Sequence, residues 1–153
     1  MLLDEIGELP VDLQAKLLRA LQEKEIRPVG GTKSIPINVR ILAATNKDLE
    51  QAVTHGEFRR DLYFRLNVLT LRIPPLRERK QDIPLLTGHF LERLVRSTGV
   101  LRNISDEALK LMLAYDWPGN VRELENCLDR ATALSSGGTL HLSDLPTSVQ
   151  DFK

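Results

Sequence analysis

Two adjacent prolines, Pro74 and Pro75, limit what this chain can fold into. A proline ring cannot donate to a strand ladder or sit inside a helix, so no regular element runs through this point. The texture also differs on its two sides. From Met1 to Pro75, short apolar runs alternate with stretches of helical period, the pattern of an α/β unit. From Leu76 to Ser136 the chain reads as a compact set of helices, followed by a tail. The expected organisation is therefore an α/β part over residues 1–75 and an all-α part with its tail over residues 76–153.

Within the first part, Pro10 suits the opening position of a helix, and Leu13, Leu17, Leu18 and Leu21 follow at helical spacing. The pattern predicts a helix from about Pro10 to Lys24. Gly30-Gly31 between two extended stretches signals a hairpin. The run VRILAAT is apolar almost throughout and predicts a strand covered on both faces. KDLEQAVTHG predicts a short helix closed by Gly56, and FRRDLYFRL a second one with Arg59 and Arg65 near its ends. NVLTLRI alternates, which predicts a strand stopped by the proline pair. In the second part, apolar residues recur at helical period from Ile83 through Val95. Ser105 with Asp106 and Glu107 opens another helix. Pro118-Gly119 precede a long one, and Gly137-Gly138 follow it. The tail TLHLSDLPTSVQDFK reads as a short extended piece and a frayed end.

Composition excludes several classes. Lysine plus arginine equals aspartate plus glutamate at 21 each, so net charge gives no general attraction to nucleic acid or membrane. No apolar stretch nears the ~20 residues of a membrane span. The single Cys127 closes no internal disulfide, and the chain opens without a signal-peptide pattern; the expected compartment is a reducing cytoplasm. His55, His89 and His141 share no ligand spacing, which argues against zinc. No serine elbow is present.

Four stretches carry residues suited to phosphate chemistry. In LLDEIGELP, a short apolar strand ends in Asp4-Glu5, which places two carboxylates at the carboxyl edge of a sheet, where ligands of open α/β sheets sit. One acid can hold Mg²⁺ directly or through water, and its neighbour can orient a water for attack on a phosphate. The plainer reading is two acids near a helix start. In RILAATN, Thr45-Asn46 would end a strand at the same edge; Asn46 can bond a phosphate oxygen or act simply as a turn former. In FRRDLYFRL, Arg59, Arg60 and Arg65 share one short helix, and Asp61 can pair well with only one of them. Their forked donors suit phosphate, although a solvated basic face is the usual outcome for such a group. The basic run continues through Arg72, Arg77, Arg79 and Lys80, a candidate nucleic-acid patch without interleaved aromatics in its later part. In WPGNVRELEN, Arg122 falls in the first turn of a helix, where the dipole opposes a cation; Glu123 and Glu125 offset it.

In this order and spacing, LLDEIGELP, LQAKLLRALQEKEIRPVGG, VRILAATNKDLE, FRRDLYFRLNV, IPPLRERKQDIPLL and WPGNVRELEN resemble the AAA+ ATPase domain of bacterial enhancer-binding proteins, the activators of sigma-54 RNA polymerase. The resemblance covers essentially the whole chain. It implies part of a P-loop-type ATPase sheet followed by an all-α helical lid. It implies that Asp4 and Glu5 are the Walker B acids, Asp4 for Mg²⁺ and Glu5 for the hydrolytic water. Asn46, with Thr45 beside it, is similar to sensor I. Arg59 and Arg65 are similar to the arginine fingers that reach the γ-phosphate of a neighbouring subunit, and Arg122 to the sensor II arginine of the lid. ATP and Mg²⁺ are the implied cofactors, a ring of subunits the implied assembly, and the sigma-54 holoenzyme the implied partner. DNA contact in the family belongs to a separate module.

The 153 residues contain no GxxxxGK[S/T] phosphate loop and no GAFTGA-like loop, the family's contact with sigma-54. No DNA-binding helix-turn-helix follows Ser148. The expectation is therefore the C-terminal part of an ATPase domain, starting inside the Walker B strand and unable to turn over ATP alone. A non-enzymatic module that binds a partner ATPase or regulator is the alternative. In the family sheet the phosphate-loop strand separates the sensor I strand from the last strand. Without it, INVRILAA and VLTLRI would show open apolar edges, so the expectation for the α/β half alone is that the strands re-pair, copies associate, or another chain fills the gap.

Overall fold

The computed structural model describes residues 1–99, 103–135 and 137–152. It divides into Met1–Leu71 and Arg72–Lys153, each with its own apolar core. The division falls just ahead of the proline pair.

The first unit is organised by a short parallel ladder. β1 (Leu2–Leu3) pairs with β4 (Leu42–Ala43), with Leu2 opposite Leu42 and Leu3 opposite Ala43. Hydrogen bonds prolong the ladder at both ends. The Met1 amine donates to the Arg40 carbonyl at 2.7 Å, and the Ile6 N–H to the Ala44 carbonyl at 3.0 Å. Between these strands come α1 (Val11–Glu23), entered from Pro10, and an antiparallel pair, β2 (Glu25–Ile26) with β3 (Ile35–Pro36). The loop joining the pair turns at Gly30, whose φ of 77° is open to glycine without strain. α2 (Leu49–Thr54) starts at Asp48, whose carboxylate accepts from the N–H groups of Glu50 and Gln51, a strong N-cap. α3 (Arg60–Leu66) follows. Ile6, Leu18, Ala52, Phe58 and Leu62 form the core where the three helices meet. Leu17 and Leu21 pack partly against it, while Leu13 stays exposed.

Two expectations about strands fail here. The VRILAAT run is not covered on both faces: β4 is two residues long, Leu42 is 55% exposed and Val39 48% exposed. NVLTLRI forms no strand, and Val68, Leu69, Leu71 and Ile73 are each at least 77% exposed. The reason is common to both. β4 has β1 on one side only, and its other side faces a groove of about 550 Å³ lined by Leu21, Ile41, Leu66, Leu69 and Leu71. The two edges have not re-paired with each other, and the groove stays open between them. Without a neighbouring ladder, alternating apolar residues gain little by adopting strand geometry.

The second unit is helical, as expected. α4 (Ile83–Thr98) ends at Gly99, whose φ of 73° makes a left-handed cap. β5 (Asn103–Ile104) pairs in parallel with β6 (Thr139–Leu140). α5 (Asp106–Ala114) is capped by the Ser105 hydroxyl, and α6 (Asn120–Leu134) runs through the middle. Leu76, Ile83, Met112, Trp117, Leu124 and Leu128 are fully buried in one cluster. The tail is not frayed: α7 (Thr147–Gln150) follows β6, and Leu145 and Val149 are buried in the same core, with Phe152 packed on it. Three aromatic rings, Trp117, Tyr115 and Phe152, meet edge-to-face at centroid distances of 5.0 Å.

Trp117 is the single tryptophan and is wholly buried, so its fluorescence reports on this unit. Leu128→Ala opens a cavity in its core and is expected to cost about 2–5 kcal/mol in urea unfolding followed at Trp117; a cost below about 1 kcal/mol would contradict the packing described. Cys127 lies in the same core, and burial pushes its thiol from an ordinary value near 9 up to about 11. A raised folded-state value favours the neutral thiol, so this contribution to stability is present below pH 9 and is lost as pH rises through about 11. At pH 8 iodoacetamide should label Cys127 at least about 100-fold more slowly in the native chain than in urea.

Candidate functional site

The ladder of the first unit decides which polar groups meet. Asp4 and Glu5 follow β1 directly, and Thr45 and Asn46 lie two and three residues past β4. Because β1 and β4 are parallel and in register, all four residues emerge at the same end. All four are exposed. The Asp4 carboxylate accepts from the Glu5 N–H at 3.0 Å. Glu5 itself holds a left-handed backbone, φ 52° and ψ 38°, a conformation that costs a side-chain-bearing residue about 1–2 kcal/mol. Non-glycine strain of this kind gathers at functional positions. The turn that follows is tight. A Cβ at Gly7 would lie 2.7 Å from the Thr45 hydroxyl and 3.2 Å from Lys47 Cβ, so only glycine lets the two loops approach. Across the same gap, Lys47 Nζ meets Glu8 Oε2 at 2.9 Å, and the hydrogen bond to Glu8 raises the lysine above its ordinary range.

The arginines sit on α3. Arg59 occupies its N-cap position and Arg65 its last turn, so about 9 Å of helix axis separates them at 1.5 Å per residue. Arg65 donates to the Leu21 carbonyl at 3.2 Å. Asp61 pairs with one of the three arginines, and that one is Arg59. Its Nε and a terminal nitrogen donate to the two oxygens of Asp61 at 3.0 and 2.6 Å. The pair holds the Asp61 carboxyl below the ordinary carboxylate range, chiefly through the hydrogen bond from Arg59. Sequence reasoning also missed Gln14. This side chain is wholly buried in α1 and uses its whole amide: the nitrogen donates to the carbonyls of Leu9 and Glu57, and the oxygen accepts from the Arg59 N–H at 2.8 Å. A polar residue among the leucines of an amphipathic helix was the available signal.

In the second unit, Arg122 stands in the first turn of α6 and is exposed, with no ion pair among the described residues. The turn before it is built firmly. Trp117 and Asn120 take left-handed backbones, φ 50° and 54°. The Trp117 indole donates to the Met112 carbonyl at 2.8 Å, and the Asn120 amide oxygen accepts from the Leu76 N–H at 2.8 Å. Glu123 closes the turn by accepting from the Gly119 N–H at 2.7 Å and the Tyr115 hydroxyl at 3.0 Å. Its neighbour Glu125 is taken by Arg93.

Among the described residues there is no cluster of three or more histidine, cysteine or acidic side chains able to hold a metal by themselves. Magnesium does not need one. It keeps several waters and binds through one or two carboxylates plus phosphate oxygens, and the hard oxygens of Asp4, Glu5 and the Thr45 hydroxyl fit that habit. The basic run read as a nucleic-acid patch is partly consumed internally. Arg59 is paired with Asp61, and Lys80 donates to the Ala114 carbonyl and to Asp116.

Comparison with known proteins follows the same division. Residues 1–72 match the family described as the sigma-54 interaction domain, and residues 77–153 match the AAA+ ATPase lid domain. The chain is 53% identical over 143 residues to the DNA-binding transcriptional activator HyfR of Escherichia coli, covering 93% of this chain and 21% of that protein. It is 54% identical over 140 residues to the Nif-specific regulatory protein of Azotobacter vinelandii, covering 92% of this chain and 27% of that one. The crystal structure of NtrX from Brucella abortus in complex with ATP superposes with a TM-score of 0.88 at 34% identity, over 97% of this chain and 36% of that chain. The chain thus spans about a fifth to a third of the proteins it matches. The backbone thus follows that of a solved relative, and the two apolar edges beside the groove are not re-paired with each other. The chain belongs to the sigma-54 interaction family of AAA+ ATPase domains, matching that family's model over residues 1–72 and the helical lid over residues 77–153.

Proposed function

We propose that these residues are the phosphate-sensing and hydrolytic side of an ATP-driven activator that remodels sigma-54 RNA polymerase. One observation carries the reading: the parallel pairing of β1 with β4 delivers Asp4, Glu5, Thr45 and Asn46 to one strand end. In this reading Asp4 binds Mg²⁺ through water, and Glu5 orients the attacking water and draws on its proton. Thr45 and Asn46 offer a hydroxyl and an amide to the phosphate oxygens or to that water. Arg59 and Arg65 act in trans on the γ-phosphate held by a neighbouring copy in a ring, and Arg122 approaches the nucleotide from the lid. ATP with Mg²⁺, when bound, supplies the phosphoanhydride whose cleavage drives the remodelling.

The left-handed Glu5 supports a role for its carboxylate, because a plain surface residue would be exchanged for glycine at a gain. The groove beside β4 supports a further element of the reading. Its two apolar edges suit a strand that brings the phosphate loop, and the 153 residues contain no GxxxxGK[S/T] run. ATP turnover then depends on sequence outside these residues. Division of labour follows for the units: residues 1–75 act as the C-terminal part of the α/β subdomain and residues 76–153 as the lid. Contact with DNA falls to a module outside both, and the working compartment is the cytoplasm.

The trans role is tested by mixing this chain with a family ATPase whose own finger arginines are replaced by alanine. Added chain should restore a measurable fraction of hydrolysis, and Arg59→Ala,Arg65→Ala chain should restore none. Absence of any recovery with the wild-type chain counts against the finger assignment. Separately, Glu5→Gly is expected to raise stability by about 1 kcal/mol in denaturant unfolding of the first unit; a loss of stability would show that the left-handed turn is not strained.

A further inference from the structure

Arg59 is held in two ways that differ in kind. Its backbone is fixed: the N–H is bonded to the wholly buried Gln14 amide, which also ties down the carbonyls of Leu9 and Glu57. Its side chain is held only at the surface. The Arg59 and Asp61 side chains are 41% and 46% exposed, and their contact is a two-point fork. Exposed ion pairs contribute little to folding, so this one opens readily. A carboxylate that takes an arginine fork through two oxygens presents the same acceptor geometry as two oxygens of a phosphate. Asp61 has a second tie: Oδ1 also accepts from the Leu62 N–H at 2.8 Å, in the first turn of α3 where the helix dipole favours an anion. The carboxylate therefore stays in place when the guanidinium leaves. Among the described residues Arg65 has no comparable holder, only one long bond to a carbonyl. Arg60, the other arginine beside Asp61 in sequence, leans instead over the Phe64 ring at 5.7 Å.

We infer that Asp61 is a positioning residue for Arg59, keeping the guanidinium extended on a carboxylate stand-in until phosphate oxygens displace it. This rests on the assignment of Arg59 as a phosphate-contacting finger. The handover is an exchange of hydrogen-bond acceptors with no backbone movement, since Gln14 keeps the Arg59 N–H where it is. Asp61 thus competes with phosphate for one fork, and it also prevents the long side chain from collapsing onto the aromatic surface of α3.

The test uses the full chain with inorganic tripolyphosphate as probe, followed by NMR at the Arg59 Nε–H. In the wild type this proton should be protected from exchange and shifted by its carboxylate partner. It should move on titration with tripolyphosphate, with weak affinity. Asp61→Asn should remove the protection and tighten tripolyphosphate binding at Arg59 at least threefold. Asp12→Asn, the same charge change elsewhere in the unit, should tighten it less than twofold. Asp61→Glu should restore protection. If Asp61→Asn leaves both protection and affinity as in the wild type, or acts no more strongly than Asp12→Asn, the positioning role is wrong while the finger assignment stands. If the Arg59 signal ignores tripolyphosphate in both wild type and Asp61→Asn, the finger assignment itself fails and the inference falls with it. Circular dichroism and thermal midpoints of all variants separate these outcomes from a loss of fold.

Discussion

The parallel pairing of Leu2–Leu3 with Leu42–Ala43 is the constraint on which the candidate site depends. Its two strands are only two residues long, but backbone hydrogen bonds extend the ladder from Met1 to Ile6. A slip of one residue in this register would shift Asp4 and Glu5 along the chain relative to Thr45 and Asn46. Gly7 and the Lys47–Glu8 pair bind the loops just beyond the strand ends, where a Cβ would already collide. The register is thus held from both sides, by strands behind and by a tight loop contact ahead. What emerges between them is a group of hard oxygens and an amide, suited to magnesium, water and phosphate.

The same ladder explains what is unfinished about the first unit. β4 is paired on one side, and apolar residues of the other side face a groove rather than a neighbour. A strand edge of this kind is a demand for another strand. The helical unit has the larger core among the described residues, with Trp117, Leu124 and Leu128 fully buried and the tail packed back onto it, although β5 and β6 also pair on one side only.

The helices were legible in the sequence because their signals are local. Pro10 and leucine spacing mark α1, Ser105 and two acids mark α5, and the glycines at 56 and 137–138 follow helix ends. Strands were less legible because alternation says that a segment could pair, not that a partner exists. VRILAAT and NVLTLRI carry strand composition, yet β4 spans two residues and Val68–Ile73 none, since the neighbour that would order them is missing from their surroundings. The acids and the Thr45-Asn46 pair were found by motif, and their convergence needed the topology. Gln14 left one trace, a polar residue among leucines, but its burial and the Arg59–Asp61 fork were not legible for another reason. Burial of a single amide, and the choice of one arginine over two others by one carboxylate, depend on side-chain geometry that no periodicity encodes. The tail was misread because its two anchors, Leu145 and Val149, are too few to show a period.

On the proposed function, these residues collect groups for the terminal phosphate while the grip on the rest of the nucleotide lies outside them. Calorimetric titration of a slowly hydrolysed ATP analogue with Mg²⁺ into the isolated chain tests this most directly. No binding tighter than about millimolar, near −4 kcal/mol, is expected. Binding at about micromolar, near −8 kcal/mol, would contradict it, because the strand-end group would then hold a nucleotide without a phosphate loop.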